Sequence, residues 1–202
     1  MNVHVADGVL SFPVAVATTA GAIGILAYSL KGIKEDEIPK ISLLTGAFFV
    51  SSLINIPVGP TSIHPLLSGF LGLALGRRAP IGIFIGLLLQ AALFQHGGLS
   101  TLGANTLLMS LPAYLVYFMS QTVKQIPYFL KGFAAGFGAV LGGVFLLILL
   151  LLLSDQRYTE GTFSVINIVL VAYFPLAILE GVLTGFSVKY LYTLRPTFFE
   201  ET

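Results

Sequence analysis

Apolar residues fill seven long blocks of this chain, and the polar residues collect in the breaks between them. Crossing a bilayer takes roughly 20 apolar residues, and fewer suffice where a helix lies beside protein. The blocks predict spans near 10–30, 41–57, 63–76, 80–95, 103–120, 127–153 and 164–193, the third short and the sixth long. Between Asn55 and Asn105 the apolar background is interrupted by two of the three histidines and most of the mid-chain amides. Two loop-like motifs frame that stretch, Pro57 to His64 and Phe94 to Gly98, with a helical hairpin between them turning at Arg77-Arg78-Ala79-Pro80.

The charges test the count independently, because Lys and Arg favour cytoplasmic loops. With the N-terminus outside, Lys31, Lys34, Lys40, Arg77, Arg78, Lys124, Lys131, Lys189 and Arg195 all fall inside, and only Arg157 falls outside. An even number of spans spoils this alternation. The expected fold is therefore an all-α membrane protein, a bundle of seven transmembrane helices with its N-terminus outside and its C-terminus cytoplasmic. His4, His64 and His96 then share the outer face.

Composition supports that reading. The chain has 202 residues, 56% hydrophobic and 9% charged, with a mean hydropathy of +0.94, outside the range of soluble domains. A net charge of +1 and no long basic run argue against a nucleic-acid partner. The absence of cysteine removes disulfides, thiolate ligands and a Cys nucleophile. Residues 1–14 lack the positive n-region of a signal peptide and are expected to be mature sequence. The whole of 1–202 reads as one integral membrane domain, with residues 1–9 as an N-terminal metal-binding segment. No nucleotide-binding motif such as G-x-x-x-x-G-K-[ST] is present, so any use of ATP belongs to other subunits. Gly82/Gly86, Gly132/Gly136, Gly138/Gly142 and Gly181/Gly185 are small-xxx-small pairs that permit close helix contact. Packing within the bundle explains them more simply than a docking face.

Three histidines on one side of a membrane suggest a transition-metal site, since neutral imidazole suits Ni, Co, Cu and Zn. A lone histidine is more simply a loop hydrogen-bonder. His4 and His64 together favour ligation, because His4 lies near the free amine of Met1, or of whichever residue is the true start. Amine, deprotonated amide and imidazole make a tetragonal nitrogen site that selects Ni(II) or Cu(II) over Zn or Mg. His96 is read as a supporting or structural residue, and Asp7, followed by Gly8, as closing an Asx-type turn. Asn55, Gln90 and Asn105 lie near span ends, where an amide can satisfy loop carbonyls or orient an imidazole. Ser62, two residues before His64, has no acid beside it to complete a hydrolase triad, and is placed with these supporting residues. Glu180 is the only acidic residue within a span and is a candidate for coupling. It is expected toward the cytoplasmic half, far from the histidines; a structural hydrogen bond to a neighbouring helix is the competing role.

These residues resemble the CbiM/NikM-type substrate-binding membrane subunits (S components) of energy-coupling-factor transporters for cobalt and nickel. The likeness spans nearly the whole chain. It is carried by Asn55 to His64, Gln90 to Gly98, Leu102 to Asn105, Glu180-Gly181 and Arg195-Pro196. It implies a metal held by the N-terminal amine, the backbone nitrogen and imidazole of a second-position His, and the His of a T-S-x-H motif. Here those histidines are His4 and His64. The family begins Met-His, whereas this chain begins Met1-Asn2-Val3-His4. Three repairs are open: Val3 is encoded by GUG and is the true start, Met1 is removed, or the amine has left the site. The first is preferred. Pro65, where an aliphatic residue is more usual, stiffens the loop without removing a ligand.

The resemblance implies no permanent cofactor, with Co(II) or Ni(II) as transported ligand, and no enzymatic activity in this chain. It also implies a transmembrane coupling subunit of CbiQ/NikQ type, cytosolic ATPases of CbiO/NikO type, a small accessory membrane subunit in some systems, and a multi-pass place in the cell (inner) membrane. The alternative is a membrane-embedded metal-dependent enzyme or metal sensor using the same histidines.

Overall fold

The computed structural model describes residues 4–54, 56–58, 61–123, 126–155, 158 and 165–199, with 56–58 and 61–63 described by their backbone. The described residues form helices α1 (Phe12–Leu30), α2 (Ile38–Ser51), α3 (Ser68–Leu75), α4 (Ala79–Phe94), α5 (Leu102–Thr122), α6 (Tyr128–Ser154) and α7 (Val165–Leu194). Proline occupies the first or second position of α1, α2 and α4, where its missing N–H has no intrahelical partner to lose. The second apolar block, expected to run to residue 57, stops being helical at Ser51. Pro57 explains the early end: it cannot donate to a helix, and it drives its predecessor into extended backbone. Past the helix end the chain forms a small antiparallel ribbon, β1 (Ile56–Val58) and β2 (Thr61–Ile63), with Pro57 opposite Ser62. Apart from this ribbon, the described residues are helical or in connecting turns.

Among the described residues, five stretches are long and apolar enough to cross a membrane: α1, α5, α6, α7 and the run Ser68–Phe94. That run breaks at Gly76, whose φ is +53° and where a Cβ would lie 2.8 Å from the Tyr117 ring. After the break α4 folds back along α3, so the chain segments entering α3 and leaving α4 meet at one end of the bundle.

Helix α3 is the central post, with seven of its eight residues buried. At Gly72 and Gly69 a side chain would collide with the backbone of Ala113 in α5 and of Ala135 in α6, so both helices lie directly against the post. Helix α4 packs on α2, where Gly86 leaves room for the ring of Phe48. Helices α6 and α7 meet along a glycine seam. A Cβ on Gly132 would stand 2.6 Å from the Thr184 carbonyl oxygen, one on Gly185 2.9 Å from that of Phe129, and one on Gly136 would strike the Glu180 carbonyl. Residues on the outside remain apolar, Phe12, Phe145 and Val171 among them, as a lipid-facing surface requires.

The end of the bundle away from the histidines is fastened by Arg78. Its guanidinium is buried and donates to the carbonyls of Ser29, Lys31 and Gly32 and to both carboxylate oxygens of Glu37, at 2.5 to 3.0 Å. This ties the exit of α1 and the entry of α2 to the α3–α4 turn. Arg77 joins through the Lys31 carbonyl, and Tyr114 of α5 donates to the carbonyl of Arg77. Lys40 reaches the Phe198 carbonyl near the C-terminal end. Arg77 and Arg78 thus stand at the turn opposite the histidine end of the α3–α4 hairpin.

Candidate metal-binding site

Three separate stretches bring the histidines together. His4 and His64 are buried, with ring centroids 5.2 Å apart, and His96 lies 6.4 Å beyond His64 with its ring parallel. A 5.2 Å separation lets both rings turn a nitrogen toward one ion. No group of three His, Asp or Glu side chains among the described residues has the geometry of a complete metal cage.

Several polar atoms around these rings lack a well-formed partner. His4 Nε2, His96 Nδ1 and both amide atoms of Gln90 are buried and outside hydrogen-bonding geometry, although Gln90 lies close enough to His4 to act on its imidazole. Buried polar groups are rarely left unsatisfied, and a cluster of them points to something that binds there. His64 Nδ1 lies 3.4 Å from the Pro65 carbonyl, and a proton at that nitrogen leaves the lone pair on Nε2. Burial, aided by the neighbouring His64, pushes the His4 pKa down to about 3; burial likewise lowers that of His64. Both imidazoles are held neutral, the form that ligates a metal.

The N-terminal segment is fixed by a mimic of strand pairing. The Asn105 amide accepts from Val5 N–H at 2.9 Å and donates to the Val5 carbonyl at 3.0 Å, while Thr101 adds a hydroxyl bond to that same carbonyl at 2.7 Å. Gly97, at φ +77°, lets the loop after α4 approach: a Cβ there would be 3.1 Å from Asn105 Nδ2 and 3.3 Å from His4 Cβ. Tyr158 donates to the Val9 carbonyl from the α6–α7 connection. The two non-glycine residues with positive φ among those described, Leu67 at +49° and Gln95 at +54°, stand beside the His64 and His96 segments. Such strain collects where a site over-determines the backbone.

The family CbiM, described as the cobalt uptake substrate-specific transmembrane region, matches residues 4–198. The chain belongs to this family. A Haemophilus influenzae protein, provisionally named a metal transport protein, is 31% identical over 98% of both chains. A protein of Archaeoglobus fulgidus, provisionally named a fused nickel transport protein NikMN, is 25% identical over 98% of this chain and 68% of its own length. The fold is also that of a solved truncated transition metal transporter, with a TM-score of 0.75 at 24% identity, covering 95% of this chain and 99% of the other.

Several sequence expectations for this CbiM-family chain need correction. Glu180 is not far from the histidines: it is fully buried, and its carboxyl accepts from the backbone N–H groups of Leu66 and Leu67, two and three residues after His64. It is the sixteenth of the 30 residues of α7, so it lies at mid-helix and well away from the inner end. The turn expected at Asp7-Gly8 is present, with Gly8 at φ +81° and Val9 N–H donating to the Ala6 carbonyl, but the Asp7 carboxylate does not close it: it accepts from the hydroxyl and amide of Ser100, which hold its pKa below the usual carboxylate value. Gln90, Asn105 and His96 all reach the His4–His64 pair. Asn55 and the terminal residues Met1 to Val3 lie outside the described residues, as does the side chain of Ser62. Thr101 and Tyr158 were missed. Thr101 carried a signal, as a hydroxyl residue immediately before a helix; Tyr158, in a polar connection, carried none.

Proposed function

We propose that the chain captures Co(II) or Ni(II) as the substrate-binding membrane subunit of an ATP-driven importer of energy-coupling-factor type. The observation that carries this is the convergence of His4, His64 and His96 around buried ring and amide atoms without well-formed partners, in a chain of a cobalt-uptake family. His4, His64 and the amine at the mature start of the chain supply the ligands. Gln90, His96, Asn105 and Asp7 hold them, with Asn55 and Ser62 beside them in sequence.

Seven helices lie in the cell membrane in this reading, with α3 reaching only part of the way across. The end fastened by Arg78 faces the cytoplasm, where basic residues are favoured, and the histidines face outward. The two helices too short for an independent crossing, α2 and α3, are shielded by their neighbours. ATP is hydrolysed by CbiO/NikO-type partners and coupled through a CbiQ/NikQ-type subunit, with or without a small accessory subunit.

The test is equilibrium dialysis of the purified chain against Co(II) and Ni(II). His64→Ala should lose binding while staying helical, and acetylation of the terminal amine or an N-terminal tag should weaken it severely. A C-terminal tag should change nothing. Retained wild-type affinity in His64→Ala refutes the ligand assignment, and intact mass spectrometry of native protein identifies the residue that provides the amine.

A further inference from the structure

We infer that Glu180 is a positioning residue for the substrate metal: from the middle of α7 its carboxyl group sets the place of His64 by holding the backbone of Leu66 and Leu67. The inference rests on the reading of His64 as a ligand.

The argument begins with the length of α3. Eight residues at 1.5 Å each extend about 12 Å, well short of a bilayer's apolar thickness of roughly 30 Å. The segment leading into α3, Leu66 and Leu67, therefore lies inside the bundle, and its N–H groups have no water to bond. A fully buried carboxyl supplies the acceptors: Glu180 Oε1 takes the Leu66 N–H, and both oxygens receive the Leu67 N–H at 3.1 and 3.2 Å.

The link from that carboxyl to the imidazole is short and stiff. One residue, Pro65, separates His64 from Leu66, and its φ is locked by the ring. Its carbonyl accepts from the Ser51 hydroxyl at 3.2 Å. Leu67 is held in the left-handed region, which is unfavourable for a side-chain-bearing residue and so needs an anchor. On the other side, the Glu180 backbone is pressed against Gly136 of α6, leaving the carboxyl no freedom to follow a moving loop. Displacing the anchor displaces His64 relative to His4, and a metal site is sensitive to a shift of that kind.

A carboxyl that only stabilised the fold would leave the metal's surroundings unchanged once the protein was folded. The experiment therefore reads Co(II) affinity and the Co(II) d–d absorption bands of the purified full-length chain, alongside the melting temperature of the metal-free protein. The variants are Glu180→Ala, Glu180→Asp, Glu180→Gln and, in parallel, His64→Ala. Asp falls one methylene short of the two N–H groups, whereas Gln keeps an oxygen where Oε1 stands. Expected are affinity losses of about 10- to 100-fold with shifted bands in the Ala and Asp variants, as for other residues that orient ligands, and retained bands with most of the affinity in Glu180→Gln. If Glu180→Ala does not fold, the contrast between Asp and Gln carries the test. Wild-type affinity and bands in Glu180→Asp overturn the inference, as does a loss that tracks melting temperature with unmoved bands. His64→Ala separates the two failures: if it binds as wild type the ligand reading has failed, and if it loses binding while Glu180→Asp keeps it, the positioning role alone has failed.

Discussion

Replacing Asn105 by Leu should loosen the N-terminal segment without disturbing the helices. The change keeps the branched shape, at some added bulk, and removes two hydrogen bonds, the one accepted from Val5 N–H and the one donated by Asn105 Nδ2 to the Val5 carbonyl. Each is worth about 1 kcal/mol net, so closure of the segment over the site loses about 2 kcal/mol. The Val5 carbonyl keeps its bond from Thr101, which limits the damage to that order. At about 1.4 kcal/mol per factor of ten, about 2 kcal/mol is roughly 30-fold. That is an upper bound on the affinity loss, because the metal has to close only whatever fraction of molecules the mutation opens. Isothermal titration with Co(II) should show a loss between a few-fold and about 30-fold, with helical content unchanged by circular dichroism. Asn105→Asp separates the two bonds, since it keeps the acceptor for Val5 N–H and sets an oxygen against the Val5 carbonyl. An Asn105→Leu protein that binds as tightly as wild type would refute the idea that this amide organises the site.

Three further outcomes are expected. Because burial holds His4 near a pKa of about 3 and lowers His64, the unfolded chain takes up protons below the ordinary histidine value of 6.5 while the folded chain does not. The melting temperature of the metal-free protein should therefore fall as pH drops from about 6.5, with His4 contributing down to about 3; a flat profile across that window excludes the buried neutral imidazoles. Arg78→Met takes the ion pair from Glu37 and the bonds from the Ser29 and Gly32 carbonyls, while the Lys31 carbonyl keeps its bond from Arg77, and should cost about 1–3 kcal/mol in thermal unfolding, yet leave Co(II) affinity intact in the folded protein; an unchanged melting temperature contradicts the clasp. Gly97→Val forces a branched side chain into φ +77° beside His4 and Asn105, so dialysis should show weakened Co(II) binding in a helical protein, and undiminished binding would mean that the loop after α4 is not part of the site.

Much of the architecture is written in the chain because apolar blocks and proline punctuation are local signals. Pro13, Pro39 and Pro80 mark helix starts, and the Arg77-Arg78 turn stands where the basic pair interrupts the apolar run. His64 and His96 could be placed near each other because a hairpin between them returns the chain to the same end. The role of Glu180 was not legible. Counting inward from the helix end assumes that every segment crosses fully, whereas α3 is a short helix whose start is sunk in the bundle, and only tertiary structure shows which carboxyl meets it. Asp7 was half legible for a similar reason: the Asp-Gly pair marks a local turn that does form, but the partner the carboxylate takes, Ser100, is 93 residues away. The overlong second block shows the limit of hydropathy, which continues through Ile54 to Val58 while the backbone has already left the helix.

The seam between α6 and α7 gives the glycines of this chain two opposite fates. At Gly138, Gly46 and Gly24 an added methyl meets nothing within 4 Å, and those positions can accept alanine freely. At Gly132, Gly136, Gly181 and Gly185 the same methyl would run into the facing helix, against backbone at three of them and against the Phe129 or Phe133 ring at two. A contact made by bare backbone on bare backbone has a single register, because sliding either helix would carry a side chain into a gap that holds none. The two longest described helices are therefore locked to each other in one register, and any methyl added along the seam has to be accommodated by moving a whole helix.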